Sequence, residues 1–220
     1  MNQIIDGYAV FVKRDCATCV LVSPLLSEMR EAGLALTVYT QDDPTFPDGL
    51  ADVTDDTTLE RSFHAGIETV PTLIKFDGGK EIERCVGWVR DEWKSLSKVD
   101  NLGDDLPAMR PGCGSISVEP GIAERLAVEF GDVPIKSRRI EISVIEDDAE
   151  ACYDRGWTDG LPVVPPTRER VYRMLQGTSR DPQEVVGLMP PDLVECTVEK
   201  IAINAVMAGC KPEYMPLVLA

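Results

Sequence analysis

Residues 8–21 read Tyr8-Ala9-Val10-Phe11-Val12-Lys13-Arg14-Asp15-Cys16-Ala17-Thr18-Cys19-Val20-Leu21. The stretch Tyr8–Lys13 is apolar and β-rich, and predicts a buried strand. Asp15 is a capping residue type placed just before Cys16. Beyond it Val20, Leu21, Leu25, Leu26 and Met29 recur at helical spacing as far as Ala32, and Gly33 is a stop. A strand that hands straight to a helix puts Cys16 on the first helical turn. There the free backbone N–H groups and the positive end of the helix dipole stabilise a thiolate, the attacking form of a thiol. Cys19, three residues on, shares a helix face with Cys16 and is spaced to resolve a mixed disulfide. Lys13 and Arg14 are expected to lower the thiol pKa further, with Asp15 opposing them. The bare spacing also fits half of a metal site; the strand-to-helix context favours redox chemistry.

Outward from this stretch, Leu34–Thr40 reads as a second strand. The segment 41–57 is acidic and rich in Pro and Asp, which predicts an irregular insertion. A helix over Thr58–His64 stops at Ala65-Gly66. Val70–Phe76 and Glu81–Val86 are strands joined by the turn Asp77-Gly78-Gly79-Lys80. Arg90–Leu96 closes the series as a helix with Trp93 and Leu96 facing inward. The order β-α-β-α-β-β-α predicts an α/β domain over residues 1–98, followed by a linker over 99–109.

This order resembles the thioredoxin superfamily over about residues 5–97. The carriers are Cys16-Ala17-Thr18-Cys19 at a strand–helix junction, Val70-Pro71-Thr72 after a helix, the Gly78-Gly79 hairpin and Gly87-Trp88 before the last helix. The resemblance implies that Cys16 is the nucleophile and Cys19 the resolving thiol. It further implies that Pro71 is a cis-proline whose loop, with Val70 and Thr72, lies against the motif and holds substrate backbone. Four features depart from the family pattern. Asp15 replaces the tryptophan before the first cysteine, Ala-Thr replaces Gly-Pro between the cysteines, the strand ahead of the motif lacks a buried acid, and the acidic insertion is extra. These departures favour a dedicated partner over general disulfide reduction.

Residues 110–220 read as the N-terminal part of a second α/β domain. Arg110-Pro111-Gly112-Cys113-Gly114-Ser115 gives Cys113 small neighbours that allow close approach, so it is either an incidental thiol in a turn or one placed to exchange with Cys16. Arg110 is expected to lower its pKa. Helices are predicted over Ile122–Phe130, Asp147–Arg155, from Thr167 to Leu175, from Thr197 to Ala208 and from Pro212 onward. Alternation of Ile140, Ile142 and Val144 predicts a half-buried strand over Arg139–Glu146. Three prolines keep the pass Asp159–Thr167 out of any regular ladder. Asp159 is a candidate pocket residue or a simple Asp-Gly turn. Asn204, with Glu199 on a mostly apolar helix, is a candidate ligand or a partner for a loop. Trp157–Thr167 and Val198–Pro212 together resemble the UGSC group of bacterial proteins, named for a selenocysteine-Gly-Ser-Cys motif. Here Cys113-Gly114-Ser115 is followed by Ile116, so that signature is not reproduced. The apolar residues Met215, Leu217, Val218 and Leu219 run up to Ala220. They predict an incomplete domain, finished by a second chain or by a further C-terminal portion.

Composition narrows the function classes. The chain of 220 residues has 38 acidic and 22 basic residues, a net charge of −16, and the two halves 1–100 and 101–220 carry −8 each. A surface of this sign repels phosphate backbones and anionic lipid, which argues against nucleic-acid and membrane-surface partners. No stretch approaches the roughly 18 apolar residues of a membrane span. The N-terminal residues lack the basic and apolar regions of a secretory signal, and seven cysteines with one close pair fit a reducing compartment, so a cytoplasmic location is expected. Cys85 reads as core. A zinc site lacks a second close pair, His64 being the sole histidine, and no nucleophile elbow, phosphate loop or GxGxxG is present, so no metal or cofactor is identified. The expected function is a thiol–disulfide oxidoreductase module acting on a disulfide or sulfur-containing substrate, fused to a second substrate or catalytic domain that it serves. The alternative is a thioredoxin-fold subunit that docks a partner chain, with the main active site on the C-terminal domain or beyond it.

Overall fold

A computed structural model describes residues 6–143 and 145–220. The chain is mixed α/β and divides into two compact units, Met1–Leu126 and Ala127–Ala220.

In the first unit the apolar run becomes β1 (Gly7–Val12), whose last four residues are buried. It lies at the centre of a five-stranded sheet of order β3-β2-β1-β5-β6. β2 (Leu36–Thr40) runs parallel to it, Tyr8 opposite Leu36 and Val12 opposite Thr40. A parallel neighbour needs a crossover, which α1 (Ala17–Glu31) supplies. Its buried residues are Thr18, Cys19, Val22, Leu25, Leu26 and Met29, whereas Val20 faces outward. Pro24 sits inside this helix and has no N–H for the Val20 carbonyl; Ser23 Oγ donates to that carbonyl instead, at 2.9 Å. β5 (Thr72–Asp77) and β6 (Lys80–Val86) form the antiparallel hairpin on the other side of β1. The insertion 41–57 is not wholly irregular: β3 (Val53–Asp55) adds a parallel edge strand beside β2, and α2 (Glu60–His64) follows it.

The expected linker is part of this unit. β7 (Trp88–Val89) leads into α3 (Arg90–Ser97), and β8 (Met109–Arg110) returns to pair with β7. Leu102 is fully buried, and Trp88 Nε1 donates to the Pro107 carbonyl at 2.7 Å. Gly103, at φ +62°, lies so close to Trp88 that a Cβ there would sit 2.6 Å from the ring. Lys94 pairs with Asp104, and Arg90 donates to the Leu106 carbonyl. Charged residues and a glycine look like a boundary in sequence; here they wrap a buried tryptophan. Trp88 and Trp93 meet edge to face at 5.3 Å, and Trp93 Nε1 reaches the Gly87 carbonyl at 2.9 Å. The first unit therefore continues past residue 98, through β9 (Cys113–Gly114), to Leu126.

After α4 (Ile122–Phe130) come, in the second unit, α5 (Asp148–Asp154) and then α6 (Arg168–Leu175), which packs on α7 (Val198–Met207). Val171, Met174, Leu175, Val198, Ala202, Ala205, Val206, Met215 and Leu219 form its core. Thr167 and Thr197 cap these helices as the sequence predicts, accepting from Arg170 and Lys200 N–H. Glu199 is buried, and its carboxylate accepts from the backbone N–H of Lys136 (3.0 Å) and Ser137 (2.7 Å) and from Gln183 Nε2 (2.6 Å). It anchors a passing loop. One expectation fails here. Residues 139–143 form no strand, Val144 lies outside the described residues, and Ile140 is only partly covered. An unpredicted hairpin, β10 (Val185–Met189) and β11 (Val194–Thr197), forms instead; Gly187, Pro190 and Pro191 masked it in sequence.

Truncating Leu102 tests whether 99–109 belongs to the core. Leu102→Ala should cost about 2–5 kcal/mol in denaturant unfolding followed by circular dichroism. A loss within about 0.5 kcal/mol, as at a surface site, would restore the linker assignment.

Candidate active site

β1 ends at Val12 and α1 starts at Ala17, so a short turn carries the chain from the centre of the sheet to the helix. The acidic insertion fixes this turn. Asp42 accepts from the backbone N–H groups of Arg14 (2.8 Å) and Asp15 (2.9 Å). Arg14 forms ion pairs with Asp43 (2.5 Å) and Asp48 (2.6 Å), so its charge is directed at these carboxylates and not, as the sequence suggests, at the Cys16 sulfur.

The helix cap also differs from expectation. Cys16, not Asp15, is the N-cap, with extended backbone at φ −150° and ψ 111°. Its Sγ accepts the Cys19 N–H at 3.3 Å, satisfying one of the four donors a helix start leaves open. Cys16 is only 3% exposed, and in its protonated form its thiol donates to the Val70 carbonyl at 3.5 Å.

Three thiols converge here. Cys19, on the first turn of α1, has no exposed surface, and Cys113, half-buried, lies opposite Val70, whose carbonyl faces Cys16 Sγ. The Cys16 thiol is drawn down to about 5, foremost by the hydrogen bond from the Cys19 thiol. Burial opposes this, and the Cys113 thiol with the N–H groups of Cys19 and Thr18 adds to it. Cys19 is pushed far up, first by burial and then by its bond to Cys16. Cys113 is pushed up by its bond to Cys16 and by burial; the Thr18 N–H and the Lys13 charge oppose. The cluster thus holds one negative charge, on Cys16, and two protons on its neighbours.

The Cys113 segment is held by backbone and by a buried polar chain. Cys113 lies opposite Val70 where β9 pairs antiparallel with β4 (Thr69–Val70). Thr18 Oγ1 donates to the Pro111 carbonyl at 2.7 Å, and Ser115 N–H to the Glu68 carbonyl at 2.9 Å. A Cβ on Gly112 would stand 2.4 Å from Thr69 Cγ2 and 2.6 Å from the Val70 oxygen, so a side chain there would force the segment away. Buried Gln41 donates to Ser62 Oγ and Ser115 Oγ, both at 2.7 Å, and accepts from Ile116 N–H at 3.2 Å. Ser117 Oγ continues the chain to the Ile67 carbonyl at 2.6 Å. Asp56 accepts from Ser62 Oγ at 2.6 Å; burial pushes its carboxyl up, against the bonds from Ser62 and Arg61. The sequence does not mark Gln41, Asp56, Ser62, Ser115 and Ser117, because isolated polar residues in loops and short helices give no sign of being buried.

The remaining predicted residues fall as follows. The Val70–Pro71 bond is cis. Thr72 is buried and its hydroxyl donates to the Thr69 carbonyl at 2.7 Å, shaping the turn before β5. Cys85 is a core thiol on β6, raised to about 11 by burial and by Glu92 and Glu83. Asp159 and Asn204 belong to the second unit. Asp159 is exposed and accepts from Leu161 N–H in its turn, at 3.3 Å. Asn204 Nδ2 donates to the Lys200 carbonyl of its own helix at 2.8 Å. Cys16, Cys19, Val70, Pro71 and Cys113 are therefore the predicted residues that come together. Among the described residues no group of three or more His, Cys, Asp or Glu side chains is arranged to hold a metal ion, and no helix is long and apolar enough to cross a membrane.

Replacing Gln41 by leucine keeps the volume and removes the bonds. Gln41→Leu leaves Ile116 N–H and buried hydroxyls without their partner, and should cost about 1–3 kcal/mol. Native-state hydrogen exchange should show faster exchange at Ile116 and Ser117; unchanged protection and stability would contradict the role given to the polar chain. Comparison with protein-family models and with curated proteins finds no match for this chain.

Proposed function

We propose that the first unit is a thioredoxin-like thiol–disulfide module, with Cys16 as nucleophile and Cys19 as resolving thiol, and that it serves the second unit of the same chain. The observation that carries this reading is the Cys16 sulfur at the N-cap of α1, accepting the Cys19 N–H at 3.3 Å and facing the Val70 carbonyl opposite Cys113. The sheet order, with the motif at the end of the central strand, supports the fold assignment.

The chemistry follows from the charge on Cys16. The Cys16 thiolate attacks a disulfide sulfur and expels one thiolate, leaving a mixed disulfide. Cys19 then loses its proton and attacks Cys16 Sγ, closing a Cys16–Cys19 disulfide and expelling the second thiolate. A strongly stabilised thiolate is a better leaving group and a weaker nucleophile, and it favours the reduced over the oxidised pair. This makes the pair a weaker reductant than a general disulfide reductase and suits one dedicated disulfide partner.

Equilibration with glutathione buffers, followed by alkylation and mass mapping, tests the reading. The Cys16–Cys19 couple should lie at a potential less negative than the roughly −270 mV of thioredoxin. Cys16→Ser should lose the two-electron reduction of oxidised glutathione to two thiols, while Cys210→Ser keeps it. A Cys16 that exchanges no faster than Cys210 would leave the first unit as a docking subunit.

A further inference from the structure

The edge of β4 beside the motif is already filled. The backbone of Val70, whose carbonyl faces Cys16 Sγ at 3.5 Å, is paired with Cys113 of the same chain. Cys16 and Cys19 are 3% and 0% exposed, and Cys113 is the one thiol of the three with substantial surface. The segment that covers Cys16 is not loosely laid down. Gly112 packs against Thr69 and Val70, Thr18 holds the Pro111 carbonyl, and the Gln41–Ser115–Ser117 chain anchors the far side.

We propose that Cys113 is the thiol that meets external disulfides, and that the buried Cys16–Cys19 pair acts on Cys113 as its built-in substrate. This rests on the thiol–disulfide reading above. In the first step Cys113 Sγ attacks an external disulfide R–S–S–R, its proton passing to the hydrogen-bonded Cys16 thiolate. One thiolate RS⁻ leaves and Cys113 carries S–R. That thiolate takes the proton back from Cys16 and departs as RSH. Cys16 then attacks Cys113 Sγ, forming a Cys16–Cys113 disulfide and expelling the second RS⁻. Cys19 gives its proton to this thiolate and attacks Cys16 Sγ, forming Cys16–Cys19 and releasing the Cys113 thiolate. Two electrons pass from the protein's dithiol to R–S–S–R, which ends as two RSH.

The test is a single turnover. Reduced full-length protein is mixed with limiting oxidised glutathione, quenched with acid, alkylated and mapped by mass spectrometry. In Cys16→Ser the glutathione should remain on Cys113. In Cys19→Ser a Cys16–Cys113 disulfide should accumulate with no retained glutathione. In Cys113→Ser the Cys16–Cys19 disulfide should form at least tenfold more slowly than in the wild type, with circular dichroism confirming the fold. If Cys113→Ser forms that disulfide at the wild-type rate, and Cys19→Ser stops at glutathione on Cys16, external disulfides reach Cys16 directly. The proposal then falls and the thiol–disulfide reading stands. Failure of the wild type to form Cys16–Cys19 at all would overturn both.

Discussion

Cys16 Sγ occupies the place of a capping oxygen at the start of α1, and the arrangement of the site depends on that placement. The first turn of a helix has N–H groups without partners, and a sulfur there meets the Cys19 N–H as acceptor. The same position buries Cys16 at the end of the central strand, where the Cys19 and Cys113 thiols draw its pKa down. Burial alone would keep a thiol protonated. Donors directed at the sulfur outweigh it, so that charge collects on Cys16 and protons on its neighbours.

Two constraints of different kind keep the donors in register. One is steric: Gly112 has no side chain, which lets the Cys113 strand close on Val70. The other is the buried polar chain from Asp56 through Ser62, Gln41 and Ser115 to Ser117, in which the hydroxyls and the amide are matched across three separate segments of chain. Such a network fixes one geometry, since any slip strands a polar group away from water. Trp88, with Trp93 packed edge to face against it, holds the segment 99–110 that delivers the chain to this point.

Much of the secondary structure was legible in the sequence because its signals are local. The apolar run of β1, the helical spacing of α1, the hairpin at Gly78-Gly79 and the threonine caps of α6 and α7 each depend on neighbours a few residues away. What was not legible is long-range. Asp15 looked like the cap because its side chain suits the role, yet Asp42 fixes its backbone before the helix begins. Residues 99–109 looked like a linker because nothing in their composition reveals Trp88 beneath them. The alternation at Ile140 and Ile142 had no partner strand, and the β10–β11 hairpin was hidden by glycine and prolines near its turn. In the site, the pair Cys16–Cys19 was visible from spacing alone. Cys113 was visible as a question, and its pairing opposite Val70 is a product of the tertiary fold.

The account rests on charge at one sulfur, and the pH dependence of alkylation reads it directly. Full-length reduced protein is pulsed with iodoacetamide from pH 3.5 to 10, and the rate at Cys16 is followed by peptide mapping, with unfolded protein as the reference. The account predicts a rate that rises with pH and is half-maximal near 5, the value to which Cys16 is drawn. A midpoint near the ordinary thiol value of about 8.5 would contradict it.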